Sequence, residues 1–146
     1  LQRSHNQTID LDLDLARSQS SENPVYYVQY AHARIQSILR KSADEGGPAA
    51  GDPLDAPADP SERALISKLL EFTAEVHEAA EKRAPHRICT YASEVAAAFH
   101  AFYRDCLVVG AEGEGVEAAR IQLCEVTAGT IKSSLDLLGI TAPDRM

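Results

Sequence analysis

The chain contains no tryptophan, a single methionine at Met146, and only three phenylalanines and five tyrosines in 146 residues. Any clustering of aromatics is therefore informative. No apolar run is long enough to span a bilayer, which excludes a transmembrane helix. The first ten residues are polar and unlike a signal peptide. The three cysteines, Cys89, Cys106 and Cys124, are odd in number and lack C-x-x-C spacing. That argues against a disulfide framework and a structural zinc site, and for reduced thiols in helix cores, in a cytoplasmic setting. The chain begins at Leu1 rather than Met, so we expect a piece of a longer protein.

What is present is helical. Hydrophobic residues make up 45% of the chain, enough for one ordinary domain with a core. Residues 12–20 read as a short helix or turn. Asn23 before Pro24 is a start signal: Asn caps, and Pro accepts the first helical position because its missing N–H has no partner to lose there. Val25, Val28, His32, Ile35 and Leu39 then mark one buried face, predicting a first long helix to about Lys41. Residues 42–59, rich in Gly, Pro, Asp and Ala, read as a flexible linker or insertion. Asp59-Pro60-Ser61-Glu62 has the form of a capping box. It opens a second helix with Leu65, Leu69, Phe72, Val76 and Ala79/Ala80 inward, ended by Pro85. Ile88, Ala92, Val95, Phe99, Phe102, Cys106 and Val109 give the third helix its stripe. The fourth, about Val116 to Leu138, turns Leu123, Cys124, Ile131, Leu135 and Leu138 inward. Gly139 is placed for a left-handed cap, with Ile140 packing back. The expected fold is an all-α bundle of four long helices with a short N-terminal helix.

No nucleophile elbow and no Gly-rich phosphate loop is present, and no two histidines fall at i, i+4. The chain itself therefore offers no catalytic residue, no metal site and no cofactor site. His32, on the apolar face of the first helix, reads as a hydrogen-bonded core histidine. The net charge of −8 argues against nucleic acid. Its distribution softens that objection. Residues 1–40 have four basic and four acidic side chains, residues 41–82 four and ten, 83–110 three and two, and 111–146 three and six. An RNA would have to meet the first and third segments.

Three of the five tyrosines, Tyr26, Tyr27 and Tyr30, fall within five residues of the first helix. Tyr26 and Tyr30 share a face that Arg34 continues. Tyrosines and an arginine on a rim suit stacking on unpaired bases. From spacing alone, packing between helices with the hydroxyls at the edge suits them better.

The run Glu22-Asn23-Pro24-Val25-Tyr26-Tyr27-Val28-Gln29-Tyr30-Ala31-His32-Ala33-Arg34-Ile35 resembles the signature that opens the anticodon-binding domain of arginyl-tRNA synthetases. Asp10 to Ala16 (DLDLDLA) resembles the end of that family's catalytic domain, Phe99 to Cys106 its aromatic helix, and Leu137 to Met146 its C-terminus. The matches follow the family's order; only 42–59 has no counterpart. The class I motifs of the HIGH and KMSKS types are absent. By this resemblance, residues 1–22 are the tail end of a catalytic domain and 23–146 the anticodon-binding bundle. The parent protein would be an arginine–tRNA ligase using ATP, with magnesium, in a part of the chain not present. The implied partners are the anticodon loop of tRNA(Arg) and the parent catalytic domain, with no membrane and no DNA. The implied RNA-binding residues are Tyr30, Arg34, Tyr103 and Met146, with His100 and Arg104 beside Tyr103 in a position to meet phosphate. The tail, Thr141 to Met146, is expected on the RNA surface while adding little to the fold. The alternative reading is an acidic helical protein-interaction module with no RNA binding.

Overall fold

In the computed structural model of the chain, the described residues are 12–14, 18–20, 22–48 and 59–146. They form helices α1 (Pro24–Asp44), α2 (Pro60–Leu70), α3 (Phe72–Glu81), α4 (His86–Asp105) and α5 (Val116–Leu137), with no strand among them. Of the short helix or turn expected over 12–20, residues 15–17 lie outside the described residues and 13–14 are helical; most of the linker lies outside them as well. The linker starts later than expected: α1 continues past Lys41, and Ser42 in its last turn is buried.

The caps written in the sequence form as read. The Asn23 side chain accepts from the Val25 and Tyr26 amides. Asp59 and Glu62 close a reciprocal capping box, with the Asp59 amide donating to Glu62 at 2.7 Å. At the end of α5, Gly139 (φ +69°) turns left-handed so that the Ile140 amide reaches the Leu135 carbonyl at 2.9 Å. The end of α3 closes in the same way, with Ala84 donating to Ala79, but Arg83 occupies the left-handed position at φ +48°.

The second long helix is two segments. The Glu71 amide makes a tight bond to the Lys68 carbonyl (3.3 Å), and the same carbonyl accepts from the Tyr91 hydroxyl of α4 at 3.0 Å. A buried side chain has entered the helical ladder, which is a recognised cause of a break. Tyr91 is 2% exposed and its burial pushes the phenol up to about 12, so it stays a donor.

Helix α4 is the hub, packed against α1, α2, α3 and α5. Its Ile88, Ala92, Val95, Phe99 and Phe102 are buried with Ile35, Leu65, Ile131 and Leu135 from its neighbours. Each such large apolar side chain contributes about 1.5–3 kcal/mol by leaving water. Three sequence readings need correction. Val25 stands exposed, because it lies in the first turn, one step before the face that meets α4 and α5. Ala80 is exposed too, while Ala79 is buried. Helix α4 stops at Asp105 rather than near Gly110, and Val108 in the following loop takes the core position expected of Val109.

Several buried polar groups are satisfied locally or across the bundle. Thr127 and Ser134 return their hydroxyls to the Leu123 and Thr130 carbonyls at 2.6 and 2.8 Å. Across the helices, Arg120 of α5 pairs with the buried Glu62 of α2 and donates to the Leu107 carbonyl at 2.7 Å. One arginine thus ties α5, the α2 cap and the loop after α4.

Candidate nucleic-acid interface

The first helix displays a ladder. Residues four apart on a helix lie on one face, and the Tyr26 and Tyr30 rings stand 6.4 Å apart, nearly parallel at 14°. Arg34 is the next rung. Its Nη1 donates to the Tyr30 hydroxyl at 3.0 Å, and its guanidinium lies 5.8 Å from the centre of the Tyr30 ring. On its other side the guanidinium sits 4.5 Å over the Tyr103 ring of α4. A cation held between two π faces at a partly exposed site gains about 0.5–1 kcal/mol. More important here, these contacts fix a guanidinium that is partly exposed.

Tyr103 is backed by the buried Phe99 ring at 6.0 Å. His100 wedges behind the ladder, with ring contacts to Tyr27 (5.1 Å), Tyr30 (6.1 Å) and Phe99 (5.5 Å). Burial, and then the Arg34 charge, push its imidazole below the usual histidine value. It is neutral near pH 7. The ring packs behind the ladder and, unlike Tyr30 and Tyr103, does not line the groove described next. The Arg104 guanidinium forks onto Asp105 at 2.8 and 2.9 Å, and Arg104 does not line the groove either.

Between α1 and the C-terminal tail runs an open groove of about 520 Å³. Tyr30, Tyr103 and Met146 line it, and Met146 is 54% exposed. Its basic lining is Arg34, Arg40, Lys41 and Arg145, and no acidic side chain contributes. Among the described residues Arg34, Arg40 and Arg145 form no ion pair, and Lys41 makes only a long one, 3.8 Å, with Glu45. A chain of net charge −8 has thus concentrated cations in one concavity. Positive potential in a groove attracts phosphate, and flat rings beside it accept bases. Of the residues expected from sequence, the groove brings together Tyr30, Arg34, Tyr103 and Met146, and it adds Arg40, Lys41 and Arg145. The spacing from Arg34 to Lys41, two helical turns on one side, was a usable signal for the first two.

The tail reaches the groove along α1. Gln29 Nε2 donates to the Thr141 carbonyl at 2.8 Å, His32 Nδ1 bonds the Pro143 carbonyl at 3.0 Å, and Arg40 Nη1 donates to the Asp144 carbonyl at 3.2 Å. His32 is the buried, hydrogen-bonded histidine expected, and Ile140 and Ala142 pack against the core.

Elsewhere no helix among the described residues is long and apolar enough to cross a membrane. No group of three or more His, Cys, Asp or Glu side chains among them is arranged to hold a metal ion. The three cysteines are free thiols.

The DALR anticodon binding domain family matches residues 28–146. The chain is 46% identical over 142 residues to the arginine–tRNA ligase of Desulforudis audaxviator, and 48% identical over 141 residues to that of Moorella thermoacetica. Each match covers 94% of this chain but 25% of the relative, so the chain spans about a quarter of the length of these curated relatives. Among solved structures, Thermus thermophilus arginyl-tRNA synthetase superposes with a TM-score of 0.82 at 37% identity, over 100% of this chain and 25% of that one.

Proposed function

The chain belongs to the DALR anticodon binding domain family, and on that premise we propose that its groove receives unpaired bases of the anticodon loop of tRNA(Arg). A base entering beside Arg34 meets the Tyr30 and Tyr103 rings, and Met146 closes the apolar side. Arg40, Lys41 and Arg145 then hold the loop's phosphates. The reading fits stacking with positional contacts from cations, the usual way single-stranded RNA loops are held.

In the whole protein this becomes one part, about a quarter of the length in its relatives, of an arginine–tRNA ligase acting in the cytoplasm. Residues 1–22 would be the end of its catalytic domain. That domain would supply the chemistry, activating arginine with ATP and magnesium, and the bundle would fix the tRNA so that its acceptor end arrives at that site. Fixing a bound partner's geometry is itself a large rate effect. No reacting group is assigned to the bundle.

The observation that carries the reading is the Arg34 guanidinium held between Tyr30 and Tyr103 at the mouth of a groove with only basic charges. An acidic protein-interaction module has no use for that arrangement. The test is binding of the chain to tRNA(Arg) and to the same tRNA with its anticodon arm removed. Binding that weakens with salt and is lost with the arm supports the reading; equal binding of both RNAs, or of neither, overturns it.

A further inference from the structure

The tail's hydrogen bonds to α1 are made through its own backbone. The three carbonyls of Thr141, Pro143 and Asp144 accept from side chains of Gln29, His32 and Arg40. A contact to a carbonyl does not depend on the tail residue's side chain, which leaves the Arg145 and Met146 side chains uncommitted at the groove.

Of the three donors, His32 stands apart. Gln29 and Arg40 are partly exposed, whereas His32 is 2% exposed. The Pro143 carbonyl can only accept, so Nδ1 carries a proton. Nε2 then accepts from Gln36 Nε2 at 3.5 Å. The neutral Nδ1–H ring satisfies both neighbours at once, and a buried polar ring is costly to leave unpaired. Pro143 adds rigidity at the point of attachment, because its own φ is fixed. A short tail pinned near its middle by a buried donor has little freedom at the two residues that follow.

We propose that His32 is a positioning residue for the groove: by holding the Pro143 carbonyl from inside the core, it sets where Arg145 and Met146 stand and so completes the base-binding site. This rests on the anticodon-loop reading above. His32 touches no RNA in this scheme and acts only through the tail.

The experiment compares the wild-type chain with His32→Leu, His32→Asn and Gln29→Met. Backbone 15N order parameters at residues 142 and 144–146 read the latch, and the dissociation constant for an anticodon stem-loop of tRNA(Arg) reads the site. Melting temperature accompanies both. In His32→Leu the tail's order parameters should fall to those of a free terminus and the dissociation constant should rise about tenfold. His32→Asn, whose amide places a donor where Nδ1 stood, should recover most of both. Gln29→Met, which disturbs no buried group, should move both in the same direction by a smaller factor, keeping the test informative if His32→Leu folds poorly. An unlatched tail with unchanged affinity overturns the positioning role while leaving the RNA site standing. A tail that stays ordered in His32→Leu overturns the latch. A wild-type chain that does not bind the stem-loop overturns the anticodon-loop reading itself, whatever the tail does.

Discussion

The guanidinium of Arg34 lies 4.5 Å from the centre of the Tyr103 ring, joining the first long helix to the hub helix at the surface. Neither residue is near the other in sequence. The contact turns a helical ladder of tyrosines into one wall of a groove.

Tyr103→Ala should weaken anticodon stem-loop binding by about 1–3 kcal/mol, the usual worth of one base stack. Tyr103→Phe keeps the ring and should lose much less. Because Tyr103 also packs on Phe99, the alanine variant should lower the melting temperature modestly. If affinity is unchanged in the folded fraction and only stability falls, Tyr103 is a packing residue and no stack exists.

His100 gives the fold an acid-side sensitivity. Its pKa is lowered in the folded state from 6.5, first by burial and then by the Arg34 charge. The unfolded chain therefore binds a proton more readily than the folded one. The stabilising contribution is full above about pH 6.5 and is lost as pH falls toward the folded value. Urea midpoints measured at pH 7.5 and 5.5 should fall on acidification by less in His100→Phe than in the wild-type chain. An identical fall in both would remove His100 from the account.

Arg120→Ala should destabilise the bundle by about 3 kcal/mol, because it leaves Glu62 ionised and buried without its partner. It also releases the Leu107 carbonyl and so loosens the loop after α4. Denaturant unfolding of the variant decides this. A loss within about 0.5 kcal/mol, the range of surface substitutions, would mean the pair contributes nothing.

Arg83→Gly should stabilise. Arg83 holds φ +48° at the end of α3, the position that glycine occupies at the end of α5. A left-handed residue with a Cβ costs about 1 kcal/mol relative to glycine, against a smaller entropic loss in the unfolded chain. The variant should melt a few degrees higher. A lower melting temperature would mean the Arg83 side chain makes a contact worth more than the strain.

Local chemistry was legible in the sequence, and tertiary chemistry was not. The Asn23 cap, the Asp59–Glu62 box and the Gly139 turn each depend on residues within five positions of one another, and all three form as written. The apolar stripe of α4 was read correctly because a hub helix is buried along its length. The break at Glu71 was invisible, since it arises from a hydroxyl twenty residues away on another helix. The ladder of Tyr26, Tyr30 and Arg34 follows from helical spacing. That Tyr103 completes it, that His100 sits behind it uncharged, and that Arg104 turns to Asp105 instead all depend on how α4 is rotated against α1. How the tail is attached was not legible, because its carbonyls accept from Gln29, His32 and Arg40, more than a hundred residues upstream.

The most direct test of the central claim is a comparison of two RNA stem-loops with one stem, one carrying the tRNA(Arg) anticodon loop and the other a scrambled loop, each titrated with the wild-type chain and with the Arg34→Ala, Tyr103→Ala double variant at fixed salt. The account expects the wild-type chain to favour the anticodon loop by tenfold or more and the double variant to bind both loops weakly and alike. Equal affinity of the wild-type chain for the two loops, or a preference that survives the double substitution, would contradict it.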